Sequence, residues 1–218
     1  MRKLNTQSPE VEKLLQDLLC TYDHESYRHT FYSIGAEFAS ILNERIHDAS
    51  SIALACASED ADWVAKGIID HFKSSLDLCV YWSSRHNLGR DSDNNLLEFA
   101  AIEKSYEEIN ENVDNLIVTK SIISSSCVIK SQIMRLTSKY DFKKIYIVSP
   151  VMYKDAEMNL REEFPESIYR LFEFIYFAID EDKDEKGWVV PGIGGSVYEK
   201  LGIVSRTYYP KILDTRMP

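Results

Sequence analysis

Two kinds of apolar pattern follow one another along the chain, and the change between them sets the fold class. In the first quarter the apolar positions recur at helical spacing. Ser8 suits an N-cap and Pro9 the first helical position, and Val11, Leu14, Leu15, Leu18 and Leu19 fall on one face. The stripe predicts a first helix that serves as a cap or partner surface at the domain edge. A second helix is predicted from about Tyr27 to Ile46, with Phe31, Ile34, Phe38, Ile41 and Leu42 on its buried face.

Short, continuously apolar runs then take over: Ser51 to Ala57, Leu76 to Trp82, Asn115 to Thr119, Lys144 to Val151 and Phe172 to Ile179. Continuous rather than alternating hydrophobicity marks strands covered on both faces, the habit of a mainly parallel sheet. Between them, Val64, Ile68, Ile69 and Phe72 are in helical phase, as are Val128, Ile129, Ile133 and Leu136. Strand–helix alternation gives right-handed crossovers and a doubly wound α/β sheet. In such sheets ligands sit at the carboxyl ends of the strands, which directs attention to the loops after Ala57, Trp82 and Thr119. Two polar stretches interrupt the pattern. Ser83 to Asn95 reads as a long mobile loop, and Asp180 to Gly187 as an acidic, solvated turn.

Composition narrows the class. A chain of 218 residues with 44% hydrophobic and 28% charged residues has enough material for one full core. The net charge of −10 opposes bulk binding to DNA or RNA, although a local pocket for a small anion remains compatible with it. The four cysteines, Cys20, Cys56, Cys79 and Cys127, show no CxxC spacing; Cys56 and Cys79 lie in apolar runs and read as buried thiols. No apolar stretch approaches the ~20 residues of a membrane span, and the N-terminus lacks a signal-peptide core, so a cytoplasmic protein without membrane contact is expected. His24, His29, His47, His71 and His86 show no metal-ligand spacing.

Candidate chemistry concentrates after the third apolar strand. There the chain reads Thr119, Lys120 and Ser121, then Ser124, Ser125 and Ser126, then a helix. The free N–H groups and dipole of a helix's first turn favour a phosphate, and the serine hydroxyls can either bind it or cap the helix. Cys127 begins an apolar helical face and reads as a core thiol, since no base can be assigned to it. Arg85, beside Trp82 and His86 at a strand end, is placed to pair with a ligand. Asp60, just before a helical run, suits an N-cap.

Strand, polar loop and helix around Lys120 resemble the phosphoribosyl-binding loop of type I phosphoribosyltransferases. The segment Gly187 to Gly202, GWVVPGIGGSVYEKLG, resembles the base-wrapping hood of uracil phosphoribosyltransferase. Phe177 to Asp180 stands where that family carries a strand ending in Ile-Asp, and Arg161 to Tyr169 resembles its helix-to-strand connection. By order of elements the resemblance runs from Ser51 to Gly202. It implies a phosphoribosyltransferase-type sheet over residues 49–218 with an N-terminal helical extension over residues 1–48. It further implies base contacts from Trp188, Val189, Gly192, Ile193 and Gly194, and a pyrophosphate loop at Ser58, Glu59 and Asp60.

The chain departs from that pattern where ribose would be held. The family's two acidic positions fall on Thr119 and Lys120, or on Lys120 and Ser121, and neither register restores a carboxylate. Each charged hydrogen bond lost removes about 1.5–3 kcal/mol. Lys120 with Ser121, Ser124, Ser125 and Ser126 therefore reads as an anion cradle, with no catalytic residue to assign. The expected function is binding of a nucleotide or other phosphorylated small molecule by a protein impaired in transfer, acting as sensor, regulator or effector. A further resemblance, to divergent phosphoribosyltransferase-like proteins of prokaryotic antiviral defence, suggests one setting. The alternatives are an active uracil-type enzyme using phosphoribosyl pyrophosphate and Mg²⁺, and a ligand-free interaction module. A homo-oligomer or a protein partner is expected in either setting.

Overall fold

The computed structural model describes residues 1–47, 51–90, 96–205 and 207–216. Its main sheet has seven strands: β1 (Arg2–Leu4), β2 (Ser51–Ala57), β3 (Asp77–Arg90), β4 (Leu96–Glu108), β5 (Val113–Thr119), β6 (Lys144–Tyr153) and β7 (Phe172–Asp180). Their order is β1-β7-β6-β5-β2-β3-β4. The five central strands run parallel, and the two edges, β1 on β7 and β4 on β3, are antiparallel.

Two-sided burial explains the continuous apolar runs. Along β2, Ile52, Leu54 and Cys56 enter one core while Ala53 and Ala55 enter the other. Strand β3 divides in the same way, with Leu78, Val80 and Trp82 on one side and Cys79 and Tyr81 on the other. Helices α1 (Pro9–Cys20) and α2 (His24–Arg45) cover the first face together with α3 (Ser58–Asp60), a π-helical turn over Ala61–Ala65, and α4 (Lys66–His71). Helices α5 (Cys127–Thr137) and α6 (Ala156–Glu163) cover the second. The short helix α7 (Glu166–Tyr169) leads into β7, and after β7 come the small ribbon β8 (Asp182–Lys183) with β9 (Val189–Val190), and α8 (Val197–Lys200). No helix of the described residues is long and apolar enough to cross a membrane.

Several expectations are sharpened or need correction. Of the two uses read for the α1 stripe, cap or partner surface, the packing is that of a cap: Val11, Leu15 and Leu18 are at most 2% exposed and pack into the first core. The cap itself is as read, with Ser8 accepting from the Val11 amide. Helix α2 starts earlier than read, at His24, because the Asp23 carboxylate accepts from the Ser26 amide. Residues 83–90 are strand, not loop. They continue β3 beyond its parallel partner, and β4 supplies their backbone hydrogen bonds, from Ser83 opposite Ile102 to Arg90 opposite Leu96. Residues 91–95 of that segment lie outside the described residues. The acidic turn contains β8, which pairs with β9.

Candidate functional site

Strands β2 and β5 are neighbours whose chain connections leave in opposite directions, so a crevice opens between their carboxyl ends. Lys120 leaves β5 and points into it. Its ammonium donates to Glu59 Oε1 at 2.9 Å and to Asp60 Oδ2 at 2.7 Å, both in the single turn of α3 that follows β2. The Ser121 amide donates to Asp60 Oδ1 at 3.1 Å, and the Tyr198 hydroxyl to Glu59 Oε2 at 3.2 Å. Lys120, Glu59 and Asp60 are 5%, 9% and 1% exposed. Asp60 is therefore a counter-ion to Lys120, not an N-cap, and α3 has no side-chain cap.

The electrostatics follow from two carboxylates facing one ammonium away from water. Burial and the Glu59 charge push the Asp60 carboxyl up, overcoming the pull of Lys120. Glu59 goes down: burial acts against its ionised form, but the Lys120 charge and its hydrogen bonds prevail. Burial lowers Lys120, yet the two carboxylates outweigh it and hold the ammonium charged. Burial likewise pushes the Tyr198 hydroxyl up, so it stays a donor to Glu59.

The loop after Lys120 runs beside β6. The Lys120 and Ile123 amides donate to the Val148 and Val151 carbonyls, at 3.0 and 3.1 Å. This engages the backbone before α5 begins at Cys127. Ser126 occupies the N-cap position without a side-chain cap bond, Ser125 Oγ lies 3.3 Å from Cys127 Sγ, and the buried Ser121 hydroxyl has no partner among the described residues.

Opposite stands the segment 187–202, read from the resemblance as a hood and held in part by elements from the start of the chain. Asp180 is fully buried at the end of β7. It receives Arg2 Nε and Nη2 at 2.7 and 2.8 Å and the Gly192 amide at 2.7 Å, while Arg2 also donates to the Gly192 carbonyl. The Gly192 peptide is thus gripped at both ends. The Tyr27 hydroxyl of α2 donates to the Ile193 carbonyl at 2.7 Å. Gly192 and Gly194 take φ of +58° and +80°, and a Cβ on Gly194 would lie 2.6 Å from the Leu18 carbonyl of α1. Both glycines shape the turn, and Gly194 seats it on α1.

Between the two walls lies a cavity of about 310 Å³. Of the residues singled out in the sequence, Glu59, Arg85, Lys120, Ser124, Trp188, Val189 and Ile193 line it. Ser58, Asp60, Ser121, Ser125, Ser126, Gly192 and Gly194 stand behind the lining. Ser83, Ile122, Val128, Val197 and Tyr198 also line it and are not site residues on the sequence reading: Ser83 sits in a segment read as loop, Val128 is read as one of the apolar positions of a helix, and Val197 and Tyr198 lie in the later part of the segment 187–202, beyond the positions with implied base contacts. Trp188, 43% exposed, forms the rim.

The order of strands, the single antiparallel strand beyond β3 and the crevice at the reversal define the phosphoribosyltransferase-type α/β fold. Solved structures share it. The AQ2163 protein from Aquifex aeolicus superposes with a TM-score of 0.68 at 12% identity, over 93% of this chain and 98% of that one. Adenine phosphoribosyltransferase from Trypanosoma brucei, in complex with AMP, pyrophosphate and ribose-5-phosphate, superposes with a TM-score of 0.55 at 9% identity, over 98% and 94%. No family model and no curated protein matches the chain.

The fold implies Mg²⁺ with a phosphoribosyl pyrophosphate, and the residues present do not fit that group. No acidic pair follows β5, and among the described residues no three His, Cys, Asp or Glu side chains group to hold a metal ion. The two carboxylates after β2 direct their oxygens to Lys120, the Ser121 amide and Tyr198.

Proposed function

We propose that this protein binds a nucleotide or a related phosphorylated small molecule in the cavity at the β2–β5 crevice and is impaired in phosphoribosyl transfer. The observation that carries the reading is the pairing of two unlike walls around one cavity. Trp188, Val189 and Ile193 offer an apolar face to a base, and Glu59, Arg85, Lys120 and Ser124 offer charge and hydrogen bonds opposite. A volume of about 310 Å³ falls at the lower end of the ~300–1,000 Å³ of small-molecule sites. Impairment is argued from the loop after β5: a ribosyl centre that develops positive charge needs free negative charge beside it. Lys120 stands where the family carries carboxylates, and the two carboxylates that do reach the crevice, Glu59 and Asp60, are engaged by its ammonium.

On this reading the protein is a cytoplasmic sensor, regulator or effector working with a partner or a second copy, and a uracil-like base suits the hood best. Antiviral defence is one such setting. Calorimetric titration of the full chain with UMP, GMP, ATP and phosphoribosyl pyrophosphate, with and without Mg²⁺, tests it. Saturable binding of at least one is expected, and no heat from any of the four would refute it. An active uracil-type enzyme would instead release pyrophosphate when given phosphoribosyl pyrophosphate, Mg²⁺ and uracil.

A further inference from the structure

The cavity has two cations in its lining, and they differ in kind. Lys120 is already bound by two carboxylates at hydrogen-bond distance. Arg85 is exposed, and among the described residues no carboxylate lies within ion-pair distance of it. A phosphoryl group arriving at Lys120 would have to displace Glu59 or Asp60 and leave a buried carboxylate without its counter-ion, a strongly unfavourable exchange. At Arg85 it would displace no carboxylate of the described residues.

Ser83 supplies a second donor. Residues two apart on a strand share a face, and no register shift falls between Ser83 and Arg85, which pair with Ile102 and Ala100 of β4. Both line the cavity. The Ser83 hydroxyl is shielded from solvent and has no hydrogen-bond partner among the described residues. A buried hydroxyl in that state is unsatisfied, and because Ser83 lines the same cavity as Arg85 it is a free donor for a ligand oxygen. A guanidinium offers planar, forked donors suited to phosphate geometry.

We propose that Ser83 and Arg85, on the cavity face of β3, form the anion-binding end of the site, and that a ligand's phosphoryl group is held there rather than by Lys120. The ligand class that follows is a nucleotide lying with its base against Trp188 and Ile193 and its phosphate toward the β3–β4 hairpin. The inference rests on the nucleotide reading above, and its test separates the two.

The full chain is titrated with uridine and UMP and with guanosine and GMP, as wild type and as Arg85→Gln, Arg85→Lys, Ser83→Ala and Lys120→Met. The wild type is expected to prefer each nucleotide over its nucleoside. Arg85→Gln should weaken the nucleotide by roughly 10- to 100-fold, the scale of one charge-assisted hydrogen-bonded contact, and leave the nucleoside unchanged. Ser83→Ala should weaken it by less and Arg85→Lys should fall between. Unchanged nucleoside affinity in Arg85→Gln also shows that the variant is folded. Full nucleotide affinity in Arg85→Gln, or loss of nucleotide but not nucleoside affinity in Lys120→Met, would overturn the assignment and leave the nucleotide reading standing. Absence of binding to all four by the wild type would overturn both.

Discussion

Lys120 shows how one side chain reshapes a crevice through its partners. Its ammonium holds two carboxylates that burial would otherwise discharge, and these titrate in opposite senses. Asp60 is raised, so its contribution to stability is present below the ordinary aspartate value and is lost as pH rises through its folded value. Glu59 is lowered, so its contribution is present above the ordinary glutamate value and is lost as pH falls through its folded one. Lys120→Met keeps the apolar stem and removes the charge that reconciles them. At about pH 7.5 the substitution is expected to cost about 3–5 kcal/mol, the usual penalty for orphaning a buried charge. Without a cation, both carboxyls rise on burial alone, so the folded variant takes up protons that the unfolded chain does not hold. Its deficit against wild type should therefore shrink toward about pH 5. Urea unfolding of both proteins across that range is the measurement. An equal deficit at both ends would mean that packing, not charge, is what Lys120 supplies.

At the scale of elements, the first face of the sheet depends on how closely α2 approaches α4. Gly67 makes this possible, since a Cβ there would stand 2.1 Å from the Tyr32 carbonyl and 3.0 Å from the Gly35 Cα. Alanine favours a helix over glycine by about 1 kcal/mol. Here that gain loses to a clash with backbone, which cannot rotate away as a side chain can, and overpacking of this kind costs about 1–3 kcal/mol or more. Gly67→Ala should lower the midpoint of thermal unfolding by roughly 3–10 °C for a chain of this size. An unchanged or higher midpoint by calorimetry would show that the helices have slack. The same scale explains what can be read in the sequence. The five parallel strands are legible because both of their faces are covered along most of their length, so apolar residues run on without alternation. The outer part of β3 is not, because its distal residues have water on their exposed side and need only a backbone partner, which β4 provides from a distance in sequence. The segment 187–202 is legible only through its resemblance to a family motif, and its seat on α1 at Gly194 is not, because Leu18 lies far away in sequence. The partners of Lys120 are not, because Glu59 and Asp60 lie some 60 residues away and meet it only through the pairing of β2 with β5.

The whole molecule depends on its first residues more than a helical extension would. Residues 1–20 carry β1, which adds an antiparallel strand to β7, and Arg2, which grips the Gly192 peptide together with Asp180. They also carry the Leu18 carbonyl on which Gly194 rests, and Val11, Leu15 and Leu18 of the first core. Burial of three such side chains is worth roughly 5–9 kcal/mol at about 1.5–3 kcal/mol each. The net stability of a domain is about 5–15 kcal/mol, so these residues alone account for a large share of it. If the α1 stripe were a partner surface, deleting residues 1–20 would alter the assembly state and spare the fold. The packing points the other way. The truncated chain should lose its cooperative thermal transition, and Trp188 should become as accessible to a fluorescence quencher as in the unfolded protein, because Arg2 and the Leu18 seat leave together. A truncated chain that still melts cooperatively within a few degrees of the full-length protein would make the first helix an appendage, and the hood would then have to be held by Asp180 and Tyr27 alone.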